Sequence, residues 1–453
     1  MSLLTNEVTL SVIVLLVLSV LRINVILSLI IAALVAGLLG GLGTSKTIET
    51  FTSGLGGGAT VAMNYAILGA FAVAISRSGI TDLLAYKIIK GLGKAPNSKV
   101  MLWVKCSLIT VILLFSISSQ NILPVHIAFI PIVIPPLLSI FNYLKMDRRA
   151  IACVLTFGLT ATYMLLPIGF GKIFIESILV KNINEAAATL EHPFVTTVSQ
   201  VSYGMVIPVI GMILGLLCAV FISYRKPRIY ADVQEPTADD IAERILQINP
   251  FHIIVSILAI IVTFALQLIV DSTIIAGLVG LVIFGVCGIY KLKDSTDIMQ
   301  QGLKLMAMIG FVMIAASGYA AVIKATGGIP ELVDSFSQSI YASKGLAAFL
   351  MLLVGLIITM GIGSSFSTVP IITAIYVPIC ISVGFSPLAT VSIVGVAAAL
   401  GDAGSPASDS TLGPTSGLNA DGQHDHIKDS VIPTFIHYNI PLLIFGWIAA
   451  MCL

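Results

Sequence analysis

The sequence predicts an all-α, multi-pass membrane protein with about ten to twelve transmembrane helices. Its 453 residues are 57% hydrophobic and only 10% charged, whereas a soluble domain carries about 25% charged residues. Apolar runs such as 8–21, 25–39 and 253–270 recur along the chain, and each is about long enough to cross the ~30 Å hydrocarbon layer as a helix. The net charge of +1, without a basic arm, argues against a nucleic-acid partner.

A polar stretch at 224–249 divides the apolar chain into two halves. It contains Arg225, Lys226 and Arg228 close to the preceding apolar run, and such a cluster beside a span favours the cytoplasmic side of the membrane. We therefore expect a first transmembrane repeat at 1–223, a cytoplasmic polar linker at 224–249 and a second transmembrane repeat at 250–453.

The two halves resemble each other in sequence, with matches that keep their order and drift slowly in spacing. Tyr163 and Leu166 align with Asp402 and Ser405 in this comparison. We interpret these matches as an old duplication. Six membrane crossings per half would make the two repeats parallel, whereas inverted repeats need an odd number of crossings per half. The matched residues of the first and second halves include Gly54 with Gly302, Ser118 with Ser364, Ser119 with Ser365, Pro124 with Pro370, Ala150 with Ala389, and Pro167 with Pro406.

Two serine-rich breaks follow membrane-length apolar runs at matched positions, 118–124 and 364–370. Unpaired backbone groups cost several kcal/mol in hydrocarbon, so irregular polar backbone persists there only where it lines a cavity or binds a ligand. Matched breaks in two halves are typical of the binding site of a secondary transporter. The candidate substrate-binding residues in these breaks are Ser118, Ser119, Asn121, His126, Ser364 and Ser365. For His126, a buried imidazole without a ligand is the alternative.

The densest polar cluster inside the apolar chain is 400–415, where three glycines and two prolines cannot sustain a regular helix. An acid at mid-membrane costs about 2.5–3.5 kcal/mol, so Asp402 and Asp409 are candidate functional residues. An ordinary loop outside the membrane is the alternative. Because Na⁺ prefers hard oxygen donors, the candidate Na⁺ ligands are Ser367, Thr368, Asp402, Ser405, Asp409 and Thr411. Asp402, Ser405 and Asp409 are also candidates for substrate binding.

Two other polar groups have simpler interpretations. Lys172 and Glu176 follow the break of the first half and are spaced to pair with each other on a helix face, with a direct role in substrate binding as the alternative. His424-Asp425-His426 has the residue types of a metal site, but no further ligand at a useful spacing is evident. We expect a solvated polar turn there.

Several motifs are similar to one known family. They are 400–419, 420–426, 433–441, 118–136, and 21–25 together with 54–58. On these motifs the chain resembles the Na⁺/H⁺ antiporter family of the ion transporter superfamily, in the subgroup that includes a Bacillus histidine permease. The resemblance covers essentially the whole chain.

The resemblance implies a scaffold domain and a transport domain built from inverted repeats, each with a re-entrant hairpin and a broken helix. It also implies a homodimer in the bacterial plasma (inner) membrane, surrounded by lipid, and an elevator-like movement. Related dicarboxylate carriers have Ser-Asn-Thr at the hairpin tips to hold Na⁺ and substrate carboxylate. Ser119-Gln120-Asn121 and Ser365-Phe366-Ser367-Thr368 occupy those tips here, so this chain departs from that motif.

We expect an ion-coupled secondary transporter that moves an amino acid such as histidine with Na⁺ or H⁺, without another cofactor. The hairpin tips would bind the carboxylate, and Asp402 or Asp409 the ammonium. A Na⁺/H⁺ antiporter without an organic substrate is the alternative. A channel is a further alternative, but two occluding breaks suit alternating access by a transporter better than the continuous pore of a channel. An intramembrane aspartyl protease is disfavoured because Ala399-Leu400-Gly401-Asp402 lacks the first glycine of the Gly-x-Gly-Asp motif, so no enzyme activity is expected.

Overall fold

The computed structural model is built from helices throughout the part of the chain that it describes. The described residues are 6–21, 23–80, 83, 98–121, 130–188, 190, 193–230, 249–270, 272–329, 331, 343–363 and 365–453. The first half contains α1 (Glu7–Val20), α2 (Val25–Leu39), α3 (Gly43–Gly54), α4 (Gly56–Arg77), α5 (Ser98–Asn121), α6 (Ile130–Tyr143), α7 (Arg148–Leu165), α8 (Phe170–Ala187), α9 (Val198–Gly204) and α10 (Val206–Ser223). The second half contains α11 (Pro250–Val270), α12 (Thr273–Val286), α13 (Ser295–Thr326), α14 (Lys344–Ile362), α15 (Ser365–Val383), α16 (Pro387–Ala399), α17 (Asp409–Leu418) and α18 (His426–Cys452).

The prediction of an all-α, multi-pass membrane protein is confirmed. Among the described residues, seven helices are long and apolar enough to cross a membrane, or eight if the bent pair α7–α8 forms one span. Shorter apolar helices, α1, α2 and α12 among them, accompany these. Large apolar side chains such as Trp103, Ile254 and Ile269 are exposed on the helix surfaces, as expected where lipid is the solvent.

Helices that correspond in the two halves run antiparallel to each other. On α4 and α13, Gly58 packs against the backbone of Met313, whereas Gly69, further along α4, packs against the backbone of Gly302, which comes earlier in α13. Glycines allow this close approach of two helix backbones because they have no Cβ. The last helices of the halves, α10 and α18, are also antiparallel. Antiparallel pairing is the geometry that inverted repeats produce.

The two halves are also intertwined. A contact between a helix of the first half and a helix of the second half recurs with the roles of the two halves exchanged. Helix α6 of the first half packs against α17 of the second, and α15 of the second half packs against α8 of the first. Likewise α2 packs on α13 while α12 packs on α4. The broken segments of the halves, between α7 and α8 and between α16 and α17, therefore lie in one buried assembly.

Candidate functional site

The second broken span consists of α16, an irregular segment at 400–408, and α17. Gly401 has a φ of +87°, and a Cβ at this position would lie 2.9 Å from Cγ of Met360. Glycine meets both conditions, since it adopts positive φ without strain and leaves room for α14. The hydroxyl of Thr359 donates a 3.1 Å hydrogen bond to the carbonyl of Ala397, which satisfies one of the carbonyls that the helix end leaves free.

Asp402 is the acidic centre of the break. Its side chain is 8% exposed and both carboxylate oxygens accept hydrogen bonds. Ser408 Oγ donates to Oδ1 over 2.5 Å, and the hydroxyl of Tyr163 donates to Oδ2 over 2.7 Å. A carboxylate has about four lone-pair positions, so Asp402 keeps acceptor capacity for a cation or an ammonium group.

Tyr163 joins three elements at Asp402. Its hydroxyl lies 2.8 Å from Oγ of Ser365, and because Tyr163 donates to Asp402, Ser365 donates to Tyr163. Helix α7 of the first repeat, the start of α15 and the second break therefore meet in one chain of hydrogen bonds. The sequence comparison aligned Tyr163 with Asp402 but did not identify it as a site residue. One sequence feature could have identified Tyr163 as a site residue: it is a polar aromatic residue at the position that carries an acid in the other half.

The other hydroxyls of the break hold its backbone. Thr411 Oγ1 donates to the carbonyl of Ser405 over 2.6 Å, and Ser405 Oγ accepts a 3.2 Å hydrogen bond from the backbone N–H of Ala407. At least one lone pair of each hydroxyl remains open to a cation, since a hydroxyl has two lone pairs and can accept while it donates. Thr156 of α7 donates to the carbonyl of Ser410 over 2.7 Å, which ties α17 to the first repeat.

Asp409 offers the least saturated carboxylate at the site. It is the first residue of α17, which Ser408 caps, and a negative charge is favourable at a helix N-terminus. Its Oδ1 atom is buried without a hydrogen-bond partner in the described part of the chain. The charge of Asp409 acts on the Tyr65 hydroxyl of α4, which is also buried and unpartnered there. Unpartnered buried oxygens of this kind suit Na⁺.

The first broken span is built in a related way without an acid. Helices α7 and α8 are bent by 48°, and Gly169, with a φ of +58°, packs against the backbone of Asn121 at the end of α5. Asn121 donates from Nδ2 to the carbonyl of Ile117 over 3.1 Å, and its Oδ1 has no partner among the described residues. In the second half, Gly363 at the end of α14 packs against the carbonyl of Ala407, at 3.3 Å from a Cβ. The ends of α5 and α14 therefore each contact the break of the same half of the chain.

The remaining predicted residues divide into two groups. Ser119 is buried and donates to the carbonyl of Ser116 over 2.8 Å, Ser118 is half-buried in the same turn, and Thr368 is fully buried in α15. His126 and Ser364 lie outside the described residues, as does the side chain of Ser367.

Lys172 and Glu176 are both exposed and lie 3.9 Å apart. Their expected pairing on a helix face is therefore present.

The expectation of a solvated turn at His424-Asp425-His426 is wrong for the histidines. His424 is 1% exposed and His426 is half-buried. His426 Nε2 lies 2.8 Å from the carbonyl of Pro406, inside the second break, and its Nδ1 lies 2.8 Å from Oγ1 of Thr415 on α17. The imidazole of His426 is buried against polar groups of the broken span, and that of His424 lies 2.8 Å from Oγ of Ser430 in α18. A local sequence pattern does not reveal such contacts.

Arg148 is a further residue that the sequence did not single out. It is fully buried at the start of α7 and donates to the carbonyl of Leu418, at the end of α17, over 2.9 Å. It also forms two hydrogen bonds, of 2.7 and 2.5 Å, with the carboxylate of Asp421. A cation is favourable at a helix C-terminus, so Arg148 holds the end of α17 that is opposite to Asp409.

Broken spans that surround a buried binding site are typical of membrane transport proteins. The broken antiparallel spans of this chain enclose the buried acid Asp402, so the chain has the features of that class. The chain belongs to the Na⁺/H⁺ antiporter family, which matches residues 154–447, and a second description, Na⁺-H⁺ antiporter family, matches residues 6–92. This is a family of transporters, not of enzymes. The sequence-based assignment to this family is confirmed, and the protein is a multi-pass membrane protein.

Relatives match the chain over almost its whole length. An uncharacterized membrane protein of Haemophilus influenzae is 71% identical over 451 residues, which cover 99% of this chain and 100% of the relative. An uncharacterized membrane protein of Vibrio parahaemolyticus is 55% identical, with coverages of 99% and 100%. YuiF of Bacillus subtilis, provisionally named an amino acid transporter, is 50% identical, again with coverages of 99% and 100%.

Two solved structures are distantly similar. The YdaH transporter of Alcanivorax borkumensis is 15% identical, with a TM-score of 0.42 and coverages of 89% of this chain and 87% of that one. MtrF of Neisseria gonorrhoeae, described within a class of antimetabolite efflux pumps, is 16% identical, with a TM-score of 0.39 and coverages of 92% and 85%.

Proposed function

We propose that the protein is an ion-coupled secondary transporter that moves an amino acid such as histidine together with Na⁺ or H⁺. One observation carries this proposal: the buried carboxylate of Asp402 lies in an unwound segment and is bonded to Tyr163 of the other repeat. A buried acid of this kind can hold an ammonium group or a cation. The relative YuiF, provisionally named an amino acid transporter, supports the choice of an amino acid.

The helix ends around Asp402 suit the two charged groups of an amino acid. Helix α15 begins at Ser365, and a helix N-terminus attracts an anion such as a substrate carboxylate. Asp402 would bind the ammonium group within the same break. Alternating access by an elevator-like movement, in a homodimer within the bacterial plasma membrane, completes the proposal. The repeats would be 1–223 and 250–453, joined by the linker at 224–249.

Labelled histidine uptake into proteoliposomes tests this function. Uptake is compared under an inward Na⁺ gradient, an inward proton gradient and no gradient, with wild type and Asp402→Asn. We expect one gradient to drive accumulation, and the variant to lose it while remaining folded. Asp294→Asn is the control, because Asp294 precedes α13 and makes no capping hydrogen bond. Acceleration of labelled uptake by unlabelled histidine inside the vesicles separates a carrier from a channel. Wild-type rates in Asp402→Asn contradict the site assignment.

A second function, Na⁺/H⁺ exchange without an organic substrate, is favoured by Asp409. Its buried, unpartnered Oδ1 could alternate between Na⁺ and a proton, with Ser405, Thr411, Ser367, Thr368 and Asp402 as further oxygen donors. Vesicles loaded with a pH-sensitive dye and pulsed with Na⁺ test this candidate. Proton movement without histidine uptake, lost in Asp409→Asn and kept in Asp294→Asn, would replace the amino acid transporter with an antiporter.

A further inference from the structure

A cavity of about 800 Å³ lies beside the second broken span. On one side it is lined by α1, α2 and α13, through residues such as Ser19, Val25 and Val312. On the other side it is lined by α17 and the start of α18, including Thr415, His424 and His426. Arg228, which follows α10, also lines it, so the cavity lies towards the side of the polar linker.

A chain of hydrogen bonds leads from this cavity into the break. His424 Nε2 lies 2.8 Å from Ser430 Oγ, which lies 2.8 Å from Thr415 Oγ1. Thr415 Oγ1 lies 2.8 Å from His426 Nδ1. His426 Nε2 lies 2.8 Å from the carbonyl of Pro406.

The hydroxyl of Thr415 fixes the direction of this chain. It donates to Ser430 and to the carbonyl of Thr411, 2.9 Å away, so it accepts from Nδ1 of His426. A carbonyl only accepts, so Nε2 of His426 also carries a hydrogen, and the ring is an imidazolium in this arrangement. Ser430 donates to Nε2 of His424, whose hydrogen therefore lies on Nδ1, a nitrogen that is buried without a partner in the described part of the chain. An unpartnered imidazole N–H at the end of an ordered chain is a place for a proton to leave.

We propose that His426 is a proton-binding residue of the second broken span, loaded from the cavity through His424, Ser430 and Thr415. For unloading, the hydrogen on Nδ1 of His426 passes to Thr415, and the hydroxyl hydrogen of Thr415 passes to Ser430. The hydroxyl hydrogen of Ser430 passes to Nε2 of His424, and the proton on Nδ1 of His424 leaves to the cavity. The result is a neutral His426 and a reversed chain of neutral groups. The proton is loaded by the reverse steps.

The charges around the two histidines assign them different roles. Asp429, Arg148, Arg228 and His426 act on His424. Burial lowers the pKa of His424 to about 3, so this ring transmits a proton without keeping it near neutral pH. Burial opposes a charge on His426, whereas its hydrogen bond to the carbonyl of Pro406 and the nearby charge of Asp425 favour an imidazolium.

A proton on His426 would act on the cation site of the same segment. The imidazolium is one hydrogen bond away from Pro406, which lies between Asp402 and Asp409 in the sequence. Like charges in one buried segment repel each other, so we expect proton binding at His426 to oppose cation binding at the aspartates, and by linkage the reverse holds equally. Only this role in coupling rests on the proposed transport function; proton binding by His426 does not.

Histidine titration by NMR tests the proposal without any transport. The full-length protein, labelled with ¹⁵N-histidine in detergent, is titrated from about pH 5 to 8, the range in which histidine changes charge. We expect one titrating imidazole that is missing in His426→Gln, whose amide can donate to Pro406 but cannot take up a proton. His437→Gln is the matched control, since His437 is a buried histidine of the same helix, bonded to Pro433 and Ser223.

Added Na⁺ should move the midpoint of the His426 titration to lower pH. The proposal is overturned if no resonance that titrates in this range is lost in His426→Gln, whether or not the wild type transports histidine. If His426 titrates but no gradient drives uptake, the proton site stands and the proposed function fails.

The relay has a separate kinetic test. Ser430→Ala removes one link, so proton exchange at His426 after a pH jump should slow at least about tenfold, while the midpoint of its titration changes little. Ser430→Thr restores the hydroxyl and should restore the rate. An unchanged rate in Ser430→Ala would rule out this route to His426.

Discussion

The hydroxyl of Tyr163 donates a 2.7 Å hydrogen bond to Oδ2 of Asp402, a residue 239 positions later in the chain. The sequence comparison of the two halves aligns these two residues, and the bond joins the two halves at their broken spans. Two acids at these positions would repel each other, and one would be held neutral. A tyrosine opposite an aspartate instead leaves a single buried carboxylate with a neutral donor.

Tyr163→Phe should impair transport by more than it destabilises the fold. The change removes one hydrogen bond to a buried charged group, which is worth about 1.5–3 kcal/mol, so the apparent affinity for the coupling ion should fall about 10- to 100-fold. Ion-dependent uptake in proteoliposomes measures this. Tyr438→Phe is the matched control, because Tyr438 is equally buried but donates to the backbone of Cys153, away from the acid. Equal losses in the two variants would show that Tyr163 is only structural.

Gly169→Ala should disrupt the first break by a steric collision as well as by backbone strain. Gly169 has positive φ and a Cβ would collide with the backbone of Asn121. Gly41 has a φ of +75° but nothing within 4 Å of a Cβ. Gly41→Ala should therefore cost only the strain, about 1–2 kcal/mol, and keep transport, whereas Gly169→Ala should lose transport. Thermal unfolding and uptake of both variants are the measurements, and similar behaviour would mean that the contact with Asn121 does not matter.

Local sequence patterns predicted the positions where the helices break but not the residues that hold the breaks. The glycines and prolines of 400–415 predicted an unwound segment, because backbone conformation depends on nearby residues. The chain is irregular after α16 ends at Ala399, but the prediction is wrong for 409–415, where α17 is helical and contains Pro414. The partners of that segment come from far along the chain: Thr156 reaches the carbonyl of Ser410, and Arg148 reaches the carbonyl of Leu418. Hydropathy cannot predict such contacts, and for the same reason it misjudged His424 as solvated.

The antiparallel packing of α4 and α13 was likewise beyond a count of apolar runs. The count gave six crossings per half, which suggested parallel repeats, whereas α4 and α13 are antiparallel. Helix direction follows from packing between glycines such as Gly58 and Gly69 and the facing backbone. The sequence contains these glycines, but it does not show which helix they face.

Arg148→Met should destabilise the transport region strongly. It leaves the carbonyl of Leu418 and the carboxylate of Asp421 without their partner, and breaking a buried ion pair costs about 3–5 kcal/mol. We expect a loss of stability at the low end of this range, because the side chain of Asp421 is 27% exposed. Unfolding of Arg148→Met, Asp421→Asn and the double variant in detergent measures the coupling. The double variant should lose less than the sum of the single losses, and simple additivity would contradict the pairing.

Acidification should remove the contribution of Asp421 to stability. Burial alone would raise the pKa of Asp421, but the hydrogen bonds and charge of Arg148 more than offset this and leave the pKa below its ordinary value. The folded protein therefore binds fewer protons than the unfolded chain near the ordinary pKa of about 3.9. The stabilisation is complete above that pH and is lost as the pH falls through the folded pKa.

Asp421→Asn separates this effect from other acid-induced losses. The variant should be less stable than wild type near pH 7, because the amide cannot form the charged pair with Arg148. Below about pH 4 the gap should narrow, since the wild-type carboxyl becomes protonated and loses the same pair. The difference in melting temperature between the two proteins, measured in detergent from about pH 7 to pH 3, follows this change. Asp294→Asn should show no such narrowing, and a gap for Asp421→Asn that stays constant with pH would mean that its effect comes from packing, not from charge.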